Sequence, residues 1–100
     1  MIIVSGTVAI KAGQRDAALR AARTMIAATE KEAGCIRYRF WADIDDPQTF
    51  FIYEEWESEE ALTTHFQSEH MAAFQAELPA LIAGAPDIRR FAAAALSAMT

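Results

Sequence analysis

The sequence predicts an α+β fold: an antiparallel sheet with helical segments, in the order β-α-β-β-α-β. Three observations carry that prediction. Two stretches of alternating aromatic, β-branched and polar residues flank the turn-forming "DDPQT", which reads as an antiparallel hairpin. A β-branched segment opens the chain, and helical periodicity follows it. The length of 100 residues is that of one domain, and residues 1–100 are read as a single domain.

Each element has its own signal. "MIIVSGTVAI" reads as a first strand over about residues 2–10, and "KAGQRD" as a turn. A helix is predicted from Arg15 to Glu32, with Leu19, Ala22, Ile26 and Thr29 or Ala33 on its apolar side. Gly34 follows the last periodic residue, where a helix end favours a residue tolerant of positive φ. "CIRYRFWADI" is the second strand, Ile36, Tyr38 and Phe40 alternating with Arg37, Arg39 and Trp41. "FFIYEEW" is the third strand. Ser58 caps a helix that runs to about Gln67, with Glu59 and Glu60 in its first turn, where the helix dipole favours acids. Ser68 caps a second short helix carrying Met71, Phe74 and Leu78, which Pro79 and Gly84 help to end. The tail "DIRRFAAAALSAM" is contested. Alanine favours helix, but the plan lacks a fourth strand, so Asp87–Ala95 is assigned as strand.

Composition narrows the function. Hydrophobic residues make up 53% of a chain too short to bury a large core, so some apolar surface should be left for a partner. A homodimer is the simplest cover. The net charge of −5, with arginines few and scattered, argues against nucleic acid and against an anionic membrane. A single cysteine, Cys35, allows no internal disulfide and reads as a small buried hydrophobe. No secretory leader and no run of about 18 apolar residues is read, so the expected location is the cytoplasm.

The chemistry-bearing residues cluster between Tyr53 and His70. His65 and His70 are five apart, about 140° on a continuous helix, so they should not share a face. With no third ligand in view, no metal is expected. Strand parity groups Glu54 with Ile52 and Trp56, and Glu55 with Phe51 and Tyr53, so one carboxylate should face the helices and the other the partner sheet or rim. An inward Glu54 would have its pKa raised by burial, and a Glu54–His65 pair could orient the ring. His65 reads either as an acid/base group or as a packed histidine, and His70 as a partly exposed residue without a role. Tyr38, Phe40, Trp56, Phe66, Met71 and Phe74 suit a core, or equally the lining of a cavity for a planar, oily molecule. The four glycines form no phosphate loop, and no serine sits in a G-x-S-x-G elbow.

In order and spacing, "EAGCIRYRF", "DDPQTFFIYEEWESEEAL" and the two histidines resemble the antibiotic biosynthesis monooxygenase family, including its small quinol-monooxygenase-like members. The likeness runs from Ile2 to about Phe91. It is carried by Gly34, Cys35 and Tyr38 as G-C-x-x-Y, by Glu54 and Trp56 as E-x-W, and by His65 on the following helix. The resemblance implies a ferredoxin-like sheet paired face to face with a second copy, a dimeric α+β barrel, with a pocket between sheet and helices. It also implies oxygenation of a phenol or quinol by O₂ with no cofactor. Haem-cleaving relatives carry an asparagine on the first strand, a tryptophan on the helix and a later histidine. Here those stretches offer Gly6-Thr7, His65-Phe66 and Phe74-Gln75, which argues against haem cleavage.

The expected site therefore has His65 as proton acceptor or donor and Glu54 as its orienting partner. Tyr38, Trp56, Phe40, Phe66 and Phe74 are the contacts to a small aromatic or apolar molecule. A dimeric small-ligand-binding or interaction module without catalysis stays open, as does an isomerase of a small carbonyl metabolite. A cavity holding both His65 and Glu54 would favour chemistry.

Overall fold

The structure is a computed structural model and describes residues 1–99. Its elements are β1 (Ile2–Ala9), α1 (Arg15–Thr29), β2 (Cys35–Ala42), β3 (Thr49–Trp56), α2 (Glu59–Phe66), α3 (Glu69–Leu81) and β4 (Asp87–Ala92). The strands form one sheet in the order β2-β3-β1-β4, with every neighbour antiparallel. This is the ferredoxin-like α+β arrangement, with the second helical segment divided into α2 and α3.

One face of the sheet is apolar by strict alternation. Along β3, Phe50, Ile52, Glu54 and Trp56 are buried, while Phe51, Tyr53 and Glu55 lie on the other side. Two clusters fill the space between the buried face and the helices. Val4, Met25, Tyr38, Trp56 and Leu62 form one. Val8, Ile10, Ala18, Phe50 and Ile52 form the other. At about 25 cal/mol per Å² of apolar surface, such burial is the main force holding helices to sheet.

Several boundaries and faces differ from expectation. The helix expected to reach Glu32 ends at Thr29, and a turn in which Glu32 N–H bonds to Thr29 O (3.0 Å) takes over. The buried face of α1 is Ala18, Ala21, Ala22, Met25 and Thr29, with Leu19 and Ile26 at its edges. Small alanines and Met25 sit where the helix meets its neighbours, while Leu19 and Ile26 are only partly buried. Ile36 does not alternate with Tyr38 and Phe40. A register shift between Cys35 and Arg37 makes it the extra residue of a bulge, and it is 51% exposed. Pro79 does not end α3. The helical ladder resumes with Ile82 N–H to Leu78 O (3.0 Å), and the chain leaves the helix only when Ile82 bridges to Ile10. The tail is strand, as the plan requires, but it stops at Ala92 rather than Ala95. The need of β1 for a partner along its free edge overrides the helical propensity of the alanines.

Gly6 sits opposite Ile88, and the two backbones come so close that a Cβ on Gly6 would strike the carbonyl of Asp87. Gly6→Ala should therefore prise β4 from the sheet and cost about 1–3 kcal/mol, the usual range for overpacking. A lower midpoint in urea, with faster amide exchange confined to β4 and its β1 partners, is the expected reading.

Candidate functional site

A cavity of about 130 Å³ lies between the buried face of the sheet and α3. Its wall includes Val8, Phe50 and Ile52 from the sheet and Met71, Phe74 and Leu78 from α3, the stripe predicted for that helix. Tyr38, Phe40 and Phe66 also line it, and Phe66, 49% exposed, stands on its open side. Phe40 meets Tyr38 (5.6 Å) and Phe74 (6.1 Å) edge to face, so the aromatic wall is braced internally. The one acidic side chain among the residues lining this cavity is Glu54.

Glu54 is 8% exposed, and its Oε1 accepts a hydrogen bond from Trp56 Nε1 at 2.9 Å. Burial pushes its pKa up from 4.5 to about 7. The Trp56 hydrogen bond works against that rise, and the charge of Glu32 adds to it. Tyr38, enclosed at 2% exposure, has its phenol pKa raised by burial first and then by the charges of Glu54 and Glu32, so it keeps its proton. The cavity thus offers one carboxyl poised near neutrality and one phenolic hydroxyl, in otherwise apolar surroundings.

His65 and Trp56 do not line this cavity. Trp56 has no exposed surface; it is core, and its indole N–H is the donor that holds Glu54. His65 is also buried, at 1%, with its ring 4.8 Å from Trp56 and 5.5 Å from Tyr38. The expected Glu54–His65 pair is absent. His65 Nδ1 instead meets Glu32 Oε2 at 2.7 Å, and the same oxygen meets His70 Nε2 at 2.7 Å. The pairing differs because Trp56, two residues on along the same strand face, already occupies Glu54.

The Glu32 cluster depends on two local breaks. Gln67 and Ser68 separate α2 from α3, and Ser68 Oγ caps α3 by accepting from Met71 N at 3.2 Å while donating to His65 O at 2.7 Å. The break abolishes the 140° offset that a continuous helix would impose, so His70, its side chain 24% exposed, turns towards His65. The second break is the turn after α1. Gly34 has φ +83°, its carbonyl accepts from Glu57 N at 2.8 Å, and a Cβ there would crowd Ala61. The turn carrying Glu32 can therefore lie directly against α2. Sequence reasoning missed Glu32. The available signal was its place two residues before Gly34, in the turn that follows α1. Cys35 is partly buried, and burial, with the charges of Glu32, Glu54 and Glu30, pushes its thiol up to about 11, so it is inert at neutral pH.

Among the described residues, Glu32, His65 and His70 form a group of three potential metal ligands, their ligand atoms within 4.8 Å of one another. No helix of the described residues is long and apolar enough to cross a membrane.

With this geometry in place, comparison with known proteins assigns a family. The antibiotic biosynthesis monooxygenase profile matches residues 1–77, and the chain belongs to that family. The uncharacterised protein sll1783 of Synechocystis sp. is 30% identical over 88 residues, which are 88% of this chain and 60% of that protein. The chain therefore spans 60%, less than two thirds, of that relative's length. YcnE of Bacillus subtilis, whose name offers monooxygenase only as a proposal, is 24% identical over 90% of this chain and 95% of its own length. A crystal structure of a Deinococcus radiodurans protein superimposes with a TM-score of 0.91 at 24% identity, covering 100% of this chain and 99% of that one; at that identity the likeness speaks for the fold. Family membership supports a monooxygenase-like function in general terms.

Glu54 also links the site to stability. The folded chain holds this proton up to about pH 7, whereas an unfolded glutamate releases it near 4.5. The folded state therefore binds more protons within that window, and stability falls as pH rises through it. Glu54→Gln removes the titration. Its urea-unfolding free energy should overtake that of the native chain by up to about 3 kcal/mol between pH 5 and pH 8. Parallel curves for the two proteins would show that Glu54 titrates normally.

Proposed function

We propose that the protein is a cofactor-independent monooxygenase that oxidises a small phenol or quinol with O₂ in the cavity under α3. The observation that carries this reading is an apolar cavity of about 130 Å³ whose single acidic group, Glu54, has a pKa of about 7. Apolar cavities of about 150 Å³ take up a benzene ring, so one aromatic ring suits the space. A carboxylate with a pKa near the working pH is a competent acceptor for a phenolic proton. The phenolate so formed can pass an electron to O₂; the radical pair combines as a hydroperoxide at a ring carbon, and loss of water leaves a quinone. For a phenol with a free para carbon the sum is phenol + O₂ → quinone + H₂O. The ring supplies all four electrons, so no outside reductant is needed. Glu54 takes the first proton and returns it to the departing water. Trp56 orients that carboxyl, Tyr38 supplies a hydroxyl to the ring oxygen, and Phe40, Phe66 and Phe74 enclose the ring and exclude water. His65 acts from behind the wall, as a positioning residue for Trp56 and Tyr38.

The exposed face of the sheet supports a homodimer. Trp41, 45% exposed, stacks on Phe51 (6.3 Å) and leans on Tyr53 (5.9 Å), and Phe91, 49% exposed, lies on β4 of the same face. Large exposed aromatics on one sheet face fit docking against a second copy. A lysine at Trp41 should shift a dimer towards monomer in sedimentation velocity, with the far-UV circular dichroism unchanged.

Oxygen uptake with a panel of phenols and hydroquinones tests the reaction. The rate should rise with pH through about 7 as Glu54 ionises, and Glu54→Gln should lower it by about 100-fold or more. Equal rates in the variant would remove Glu54 from the chemistry. Saturable binding of these compounds without uptake would leave a ligand-binding module instead.

A further inference from the structure

We infer that Glu32, His65 and His70 form a binding site for a divalent first-row transition ion of the zinc(II) type. The site is separate from the cavity, none of whose lining residues belongs to it. The inference does not rest on the proposed oxygenation.

The donor set points to the ion. Two imidazoles and one carboxylate, with a position left for water, is a recurrent arrangement at zinc centres. The same set suits iron(II) and cobalt(II), whereas magnesium and calcium prefer oxygen ligands throughout. His65 Nδ1, His70 Nε2 and Glu32 Oε2 all lie within 4.8 Å of one another, and the carboxylate oxygen is 2.7 Å from each nitrogen. A tetrahedral ion with bonds of about 2.0–2.1 Å needs its ligand atoms about 3.3 Å apart. Glu32 must therefore draw back by roughly half an ångström and the two ring nitrogens, up to 4.8 Å apart, must close on the ion, movements open to Glu32 at 14% side-chain exposure and to His70 at 24%.

The three ligands come from separate parts of the fold, and each has its own support. The His65 ring is wedged between Trp56 and Tyr38. His70 is set by the Ser68 cap at the start of α3. Glu32 is set by the turn that Gly34 presses against α2. The ligands also run from buried to open: the His65 side chain is 1% exposed, that of Glu32 14% and that of His70 24%. An ion can thus enter from the His70 side and keep a water there. In its absence, the shared carboxylate oxygen occupies the space with two short hydrogen bonds. The ion would replace the protons of those bonds and tie the end of α1 to the joint between α2 and α3.

The test uses the untagged full chain after treatment with a chelator. Zinc(II) is titrated by calorimetry, and cobalt(II) is followed by its visible absorption. One ion should bind per chain, cobalt should show the intense bands of a four-coordinate site, and zinc at 100-fold excess over Kd should raise the Tm by several degrees. His70→Ala, at the least buried ligand, and Glu32→Gln should each weaken binding by about 10-fold or more. Absence of saturable binding would overturn the inference, leaving a purely hydrogen-bonded cluster. So would binding that either variant leaves unaltered.

Discussion

The structure turns on the enclosure of one indole. Trp56 ends β3 with no surface exposed, packed with Val4 of β1, Met25 of α1, Tyr38 of β2 and Leu62 of α2. A buried indole N–H must find an acceptor or forfeit about 1–3 kcal/mol. On a strand, the residue two positions back shares the same face, and here that residue is Glu54. The need to satisfy a core tryptophan therefore fixes a carboxyl group in an apolar wall. That carboxyl is held by one hydrogen bond and opposed by burial, and the balance leaves it near neutrality. The position and the proton affinity of the cavity's one acid both follow from a packing decision made by its neighbour.

The same indole separates two polar centres. On one side Glu54 faces the cavity. Elsewhere on the Trp56 side chain lies the ring of His65, and beyond it Glu32 and His70. Tyr38 touches both centres, as a wall of the cavity and as a ring beside His65. The charges on the two sides sense each other, since Glu32 raises the proton affinity of Glu54 and of Tyr38. What happens at the histidines can reach the cavity through this field without a shared hydrogen bond.

Much of the fold was legible because its signals are local. Alternation placed β3 and put Glu54 and Glu55 on opposite faces, and it is Glu54 that turns towards the helices. Ser58 and Ser68 announced their caps, both of which form. Even the contested tail could be assigned from the need for a fourth strand. The site was less legible, for two physical reasons. First, Glu32 is 33 residues from His65, and only the tertiary approach of the Gly34 turn to α2 makes them neighbours. Second, the pairing of Glu54 was a competition that spacing alone could not decide: a nearby donor on the same strand prevailed over a histidine on the next helix. The bulge at Ile36 was invisible for a similar reason, since an extra residue leaves no mark on a period-2 pattern until its partner strand is known.

The joint at Gln67 and Ser68 is a single mechanical coupling. Everything downstream of it on α3 turns as one body, including His70 at the head of the helix and Met71, Phe74 and Leu78 over the cavity. One residue added to the joint would swing that whole set by about 100°. The outline of the chamber and the aim of the outer imidazole therefore share a single hinge setting. Divergence in this lineage could resculpt the chamber freely by exchanging side chains, but any change in the length of the joint would alter both features at once.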